Sequence, residues 1–536
     1  LDGFTVTAGH ADGPSFPDNV GGGMYNSSSS PKLTNCIFRD NSANSGGGMY
    51  NRDFSLPQLI KCSFIGNSAD NAGGGMCNVV SSAPHLTNCK FQGNSAGNDG
   101  GGGGMYNSNS SSHLINCRFT GNSAAFGGGL YNAFSSSPQL INCIFQGNSA
   151  DDDGGGIYNS SSSPILTNCK FQGNSAAFGG GLYNVFSSSP QLTNCKFQGN
   201  SADDEGGGML NFSSSPHLIN CTFQGNSAGN EGGGLYNANF STPTLINCIL
   251  WENSNEIVND ASSNATVTFS IVEGGYAAGT NILDADPLFV DAANGDLRLL
   301  PCSPAIDAGT AVGAPDTDLK GNSRVDALPG PGLVDIGAYE FQDTLQYDTH
   351  IYVDADAIAG NNNGTTWNDA FIDLQTAISS ARACGVDTIW VAEGTYYPDQ
   401  GGGNTNNDRS ASLVMHNNLA IYGGFSGTEI ALSQRDWVAH PTILSGDIDQ
   451  DSTLANNSYH VILNEQNGLD STAILDGFTI TGGNADGSSS PSDRGGGMYN
   501  SSSSPKLANC IFRDNSAKSG GGMYNRDFSL PQLIKC

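Results

Sequence analysis

A right-handed parallel β-helix, all-β apart from one short capping helix, is the fold this sequence predicts. Three observations predict it. The first is repetition. GGG-aliphatic-(Tyr)-Asn starts at Gly21, Gly46, Gly73, Gly102, Gly127, Gly154, Gly179, Gly206 and Gly232, in steps of 25 to 29 residues. A period of roughly 20–50 residues marks a solenoid, propeller or array. The second is slot tolerance. The residue after the glycines is always aliphatic (Met24 to Leu235), and the Leu slot (Leu33 to Leu245) never varies. The third is alternation. Between the Cys slot and the Phe slot stands Ile37, Ser63, Lys90, Arg118 or their equivalents, a position that faces water, so Cys and Phe point inward. That is the period-2 pattern of a strand.

Each element of a coil follows. The strand after GGG ends at Asn26. Leu33 and Cys36 are three apart, so both can face inward only if the chain bends between them, and Asn35 sits at that bend. Asn41 follows the Phe strand. Asn tolerates left-handed and turn conformations. Three strands with an Asn at or near each corner describe a three-sided coil. Stacked coils pair in parallel along a right-handed path, and stacked Asn side chains form amide ladders. The Phe slot runs Phe38, Phe64, Phe91, Phe119, Phe145, Phe171, Phe197, Phe223 and then Trp251. No 3.6-residue stripe supports a helical alternative in the repeats.

Composition bounds the function. The 536 residues carry a net charge of −30, and only 13% are charged. An acidic surface poor in lysine argues against nucleic acid or an anionic membrane as a partner. No apolar run of membrane-spanning length is present in this segment. Of 14 cysteines, Cys36, Cys62, Cys89, Cys117, Cys143, Cys169, Cys195, Cys221 and Cys248 share one slot, and Cys510 and Cys536 repeat it. No CxxC pair is present, which argues against zinc. Neighbouring slots lie roughly 4.8 Å apart, within Cα range of a disulfide, but parallel side chains strain such a bond. A buried thiol ladder is the favoured reading, with disulfides as the alternative.

The chain divides into residues 1–253, the regular repeats; 254–345, closing coils; a linker at 343–349; 350–474, the opening of a second module; and 475–536, a return of the first repeats. Residues 475–536 match residues 1–62 without a gap at 52 of 62 positions. The simplest reading is a window cut from a tandem array, with a single terminal duplication as the alternative. VTFSIV, PLFVD, LRLLP and LVDIGAYEF read as short strands. Residues 367–384 read as the one helix, with Phe371, Leu374 and Ile378 on a face and Gly385 as its stop.

GGGMYN with FRDNSA, FIGNSA or FQGNSA resembles the GGA-I/L and FxxN repeats of polymorphic outer-membrane adhesins. More broadly it is similar to parallel β-helix repeats of secreted bacterial surface proteins. The resemblance covers 21–253 and 495–536. DADPLFVDAANGDLRLLPCSPAIDAG with VDIGAYEF resembles the closing segment of such modules, and 350–474 resembles the capped N-terminal region of pectate-lyase-like β-helices. The resemblance implies a secreted, cell-surface location and a structural or adhesive role.

Candidate sites are few. Asp447, Asp449 and Asp451 form D-x-D-x-D, a start of a Ca²⁺ loop, but the loop Gly and Glu are missing, with Ser452 and Ser458 at those offsets. Asp151, Asp152, Asp153 and Asp203, Asp204, Glu205 lie on coils two apart and could hold Ca²⁺ together. No other cofactor is expected. Tyr25, Tyr50, Tyr106, Tyr131, Tyr158, Tyr183 and Tyr236 follow the inward aliphatic residue and should point outward as an aromatic stripe. Such a stripe suits a neighbouring copy, the chain's own loops, or surface glycans. Cys77 and Leu210 in the same slot show that the hydroxyl is not required. Basic residues are few and vary by slot, and no Ser-His-Asp spacing or Gly-rich phosphate loop stands out, so no catalytic residue is assigned. The function read from the sequence is a subunit of an extracellular filament or surface fibre, joined to further copies end to end and side by side. A carbohydrate-binding or carbohydrate-active protein on the same scaffold is the alternative.

Overall fold

The structure, a computed structural model, describes residues 1–97, 100–324, 334–342, 350–357, 359–402 and 404–536. The expected linker at 343–349 lies outside them. The chain divides into two compact units, Leu1–Pro287 with Pro304–Gln342, and Leu288–Ser303 with Asp343–Cys536.

The first unit is a parallel β-helix. One coil runs through Met24–Ser27, Lys32–Thr34, Ile37–Arg39 and Ser42–Ser45. Each strand pairs in parallel with its equivalent one coil on: Met24 with Met49, Leu33 with Leu59, Phe38 with Phe64, Ser42 with Ser68. The Leu and Phe strands merge into one 21-stranded sheet, and the other two strands build sheets of 10 and 9. The fourth strand, Ser42–Ser45, is an addition to the three-strand coil read from sequence. Its Ser and Ala side chains carry too little apolar mass to mark it.

Asn35 is the bend, at φ 51°, and its equivalents repeat that left-handed conformation, as does Lys61 at φ 54°. Asn26 and Asn41 do not make the turns. They are buried, and Ser28 and Asp40, both at positive φ, turn the chain beside them. Asn26 Nδ2 donates to Asn51 Oδ1 at 2.8 Å, and the ladder continues coil by coil to Asn259. Asn41 Nδ2 donates to Asn67 Oδ1 at 2.9 Å, while Asn67 Nδ2 also reaches the Phe38 carbonyl at 2.9 Å. A buried amide is tolerated only when its groups are bonded, and each coil satisfies the next.

The triple glycine has a steric cause. Gly46 holds φ 67°, while a Cβ on Gly47 or Gly48 would strike the carbonyl oxygen of Ser68 or Gly75. Inside, Phe38 to Phe223 stack face to face at 4.4–5.1 Å with ring planes within 7° of parallel. Leu250, not Trp251, follows Phe223 in this ladder, because Trp251 pairs with Gln224 on the outward phase. The nine slot cysteines are buried free thiols. Cys89 Sγ, for example, donates to the Thr87 carbonyl at 3.5 Å.

Residues 304–324 and 334–342 pack along the outside of this unit. LVDIGAYEF is not a strand over its described part. It is shaped by a buried ion pair, Arg324 Nη1 to Glu340 Oε2 at 2.7 Å. Arg324 Nη2 reaches Asn194 Oδ1 at 3.0 Å, and Asn220 Nδ2 reaches the Asp335 carbonyl at 3.0 Å.

The second unit opens with Ile351–Val353, the helix Leu374–Cys384, and the strands Thr388–Ala392 and Ala420–Phe425. It then returns to regular coils, where Met498, Tyr499 and Asn500 pair with Met523, Tyr524 and Asn525. The helix begins at Leu374 rather than 367. Asp373 caps it by accepting from Thr376 N at 2.7 Å, and Phe371 is drawn into a bridge with Val353. Gly385 closes it at φ 66°. Leu374, Ala377, Ile378 and Ala381 cover Ile351, Val353, Ile389 and Val391. An antiparallel hairpin, Phe289–Asp291 with Asp296–Leu299, joins the same core, and Cys302–Cys384 ties it to the helix end. No described helix is long and apolar enough to cross a membrane.

Candidate interaction surfaces

Tyr25, Tyr50, Tyr106, Tyr131, Tyr158, Tyr183 and Tyr236 stand in register on the outer face of the GGG strands. Rings one coil apart lie 4.7–6.0 Å from each other. Only Tyr25 is exposed, and Tyr158 is buried. The other five are half-buried, and the chain's own aromatic residues pack against part of the stripe. Phe126, in the strand before GGG, meets Tyr158 at 5.7 Å, and Phe16 meets Tyr25 at 5.9 Å. Burial pushes the Tyr50 and Tyr131 hydroxyls up to about 12.

The acidic loops of alternate coils are not brought together. Asp151–Asp153 end the strand Ser149–Asp153, and Asp203–Glu205 end Ser201–Glu205, but Phe178 pairs with both Asp153 and Glu205 and stands between them. Burial, then Asp152, pushes the Asp153 carboxyl up to about 7. Burial and then Asp204 push Glu205 upward.

Asp447, Asp449 and Asp451 are brought together. Among the described residues they form the acidic group whose ligand atoms all lie within 4.8 Å. Their oxygens also serve the loop: Asp447 accepts from Asp451 N at 3.2 Å and Ser452 N at 3.1 Å, and Asp451 accepts from Thr453 N at 2.7 Å. These are the residues that could hold a Ca²⁺ ion, and the loop is already closed by its own backbone donors.

A basic residue facing two carboxyls, which in an open groove would favour an enzyme, does occur: Arg324 with Glu340 and Asp335. It is 1%, 5% and 1% exposed, respectively. Burial pushes both carboxyls up while the guanidinium opposes it. These groups fasten the outer segment to Asn194 and Asn220.

One feature escaped the sequence reading. Phe54, Phe134, Phe186 and Phe240, in the turn after the Tyr-Asn strand, are 60–75% exposed and lie at φ 52–65°. Its signal was present: the turn carries Phe where neighbouring coils carry Ser or Asn.

The model of the right-handed beta helix region matches residues 23–197, and that of the Chlamydia polymorphic membrane protein repeat matches residues 220–238. With the coil register above, these decide the class. The chain is a parallel β-helix repeat protein. The β-helix match spans about a third of its length and falls wholly within the regular coils of the first unit. No curated protein matches this β-helix chain. Among solved structures, PL6 family alginate lyase AlyGC aligns at 12% identity and TM-score 0.24, over 94% of this chain and 78% of that one. A point mutant of the same lyase aligns at 11% and 0.21, over 94% and 77%. At such values nothing follows about the chemistry of this β-helix protein.

Proposed function

We propose that this β-helix protein is an adhesin-like structural segment of a cell-surface fibre built from tandem modules. The observation that carries the reading is the return of the same coil: residues 475–536 repeat 1–62, and both stretches adopt the same strands in the same register. Its mechanism is mechanical. Backbone pairing, amide ladders and stacked rings run from coil to coil, so load passes along the axis through many parallel bonds. Acidic loops keep the surface soluble. The polymorphic membrane protein repeat supports a surface location.

Electron microscopy of the native material, with a search for an axial repeat, tests the reading. A continuous rod repeating at the length of one module, roughly 18 coils of about 4.8 Å each, is expected. Isolated short particles overturn it and turn attention to soluble polysaccharides as ligands.

A further inference from the structure

We infer that the exposed phenylalanines of the first unit form a comb that interlocks with the same comb of a second copy of this chain. Phe134 and Phe186 share one slot on alternate coils, two residues past the ladder asparagine, and Phe240 stands one residue further along its turn, after Asn239. Ser161 and Ser213 occupy the turns between them, and Ser213 follows Phe212, itself 38% exposed. The turns are stacked neighbours: Ser135 N donates to the Ser161 carbonyl at 2.9 Å, and Ser187 N to the Ser213 carbonyl at 2.9 Å.

Two physical facts make the row unusual. A bulky side chain at positive φ is strained, and Asn or Gly relieves that strain. Asn109 and Asn239 do occupy such positions in this stack. The phenylalanines therefore serve neither their own turn nor the core, and an outlier held against local preference points to a contact.

The spacing selects the partner. Coils lie about 4.8 Å apart, so Phe134 and Phe186, in one slot on alternate coils, are separated by roughly 9.6 Å. A ring of a second copy, shifted by one coil, enters the gap over Ser161. It then lies about 4.8 Å from a ring on either side, inside the roughly 4.5–7 Å range of aromatic pairs. The buried Phe ladder holds the same spacing, 4.4–5.1 Å. Charge agrees. In a chain of net charge −30, the turns Phe134–Pro138, Ser160–Pro164 and Phe186–Pro190 carry no charged residue, so two copies can approach along them. Three rings from each copy bury on the order of 900 Å², short of the roughly 1,600 Å² of a stable dimer. One pair of chains therefore associates weakly, and modules in line multiply the effect.

Sedimentation equilibrium of the full chain, up to about 1 mM to cover weak affinities, tests the comb. Reversible association is expected, lost by at least tenfold in F134N/F186N/F240N, whose asparagines suit the turn. The decisive variant is S161F/S213F. It adds apolar surface but fills the gaps, so interlocking predicts weaker association, whereas mere stickiness predicts stronger. A monomer at every concentration, association unchanged in the triple asparagine variant, or stronger association in S161F/S213F each overturns the proposal. So does a row that binds a neutral polysaccharide in place of a second copy. A rod that fails to pair laterally leaves the fibre reading intact.

Discussion

The regular coils of the first unit and the opening of the second solve the same problem in opposite ways. In the regular coils a residue is bonded to its own equivalent one coil away: Asn148 to Asn174, Phe145 to Phe171. In the opening region each contact is unique. Arg435 pairs with Asp476 at 2.8 Å and lies over Trp437 and Tyr422, Trp367 Nε1 donates to the Glu429 carbonyl, and Cys302 is bonded to Cys384. Repetition spreads stability evenly, in a nearest-neighbour fashion. A solenoid end has no next coil and would expose apolar side chains and strand edges. The helix and hairpin that cover it must be held individually.

The largest expected effect tests the repeating half of this comparison. Phe145 is flanked by rings at 4.8 and 5.1 Å, so Phe145→Ala leaves a cavity that neighbouring rings cannot close and costs about 3–5 kcal/mol. Denaturant unfolding with a probe in each unit should show the loss in the first unit only. An unchanged midpoint there would mean that the stack tolerates gaps.

Next comes the unique half. The Cys302–Cys384 bond closes a separation of 82 residues, so reduction or Cys302→Ala with Cys384→Ala lowers the stability of the second unit by about 2–4 kcal/mol. Thiol counting during denaturant titration should show the buried ladder cysteines reacting only as their own unit opens. Loss of both units together would erase the distinction.

Protonation should have a smaller effect. Asp153 and Glu256 in the first unit are pushed up to about 7, each chiefly by burial, and Asp373 in the second to about 6. A raised carboxyl pKa means that the folded state keeps a proton that the unfolded state has released. That contribution to stability is full below about 4 and is lost as pH rises through about 7. Melting temperature should be higher at pH 5 than at pH 8, by a few degrees. Asp153→Asn should flatten the slope, and a melting temperature rising with pH would contradict this account.

Smallest is the strain in the comb. Phe186 sits at φ 55°, and Phe186→Asn should stabilise the monomer by about 1 kcal/mol. Destabilisation would show that the ring packs within its own chain.

How much of this could be read in advance depends on how often a feature repeats. The inward Leu, Cys and Phe slots and the bend at Asn35 were legible because nine coils state the same preference in phase. Trp251 was misplaced by one position where the beat ends and no further coil corrects the phase. The helix boundary slipped because Phe371 fits a helix face as well as it fits the bridge with Val353.

The sequence alone determined the β-helix, its parallel register and its coil length, because those depend on interactions between neighbours that every repeat restates. Only the tertiary structure decided which outer surfaces stay open. Phe126 closes over the tyrosines, and Phe178 separates Asp153 from Glu205. Arg324 reaches Asn194 across 130 residues, and Cys302 finds Cys384. Each such pairing occurs once and leaves no periodic mark on the chain. It is set by where loops of different length come to rest on a scaffold that already exists.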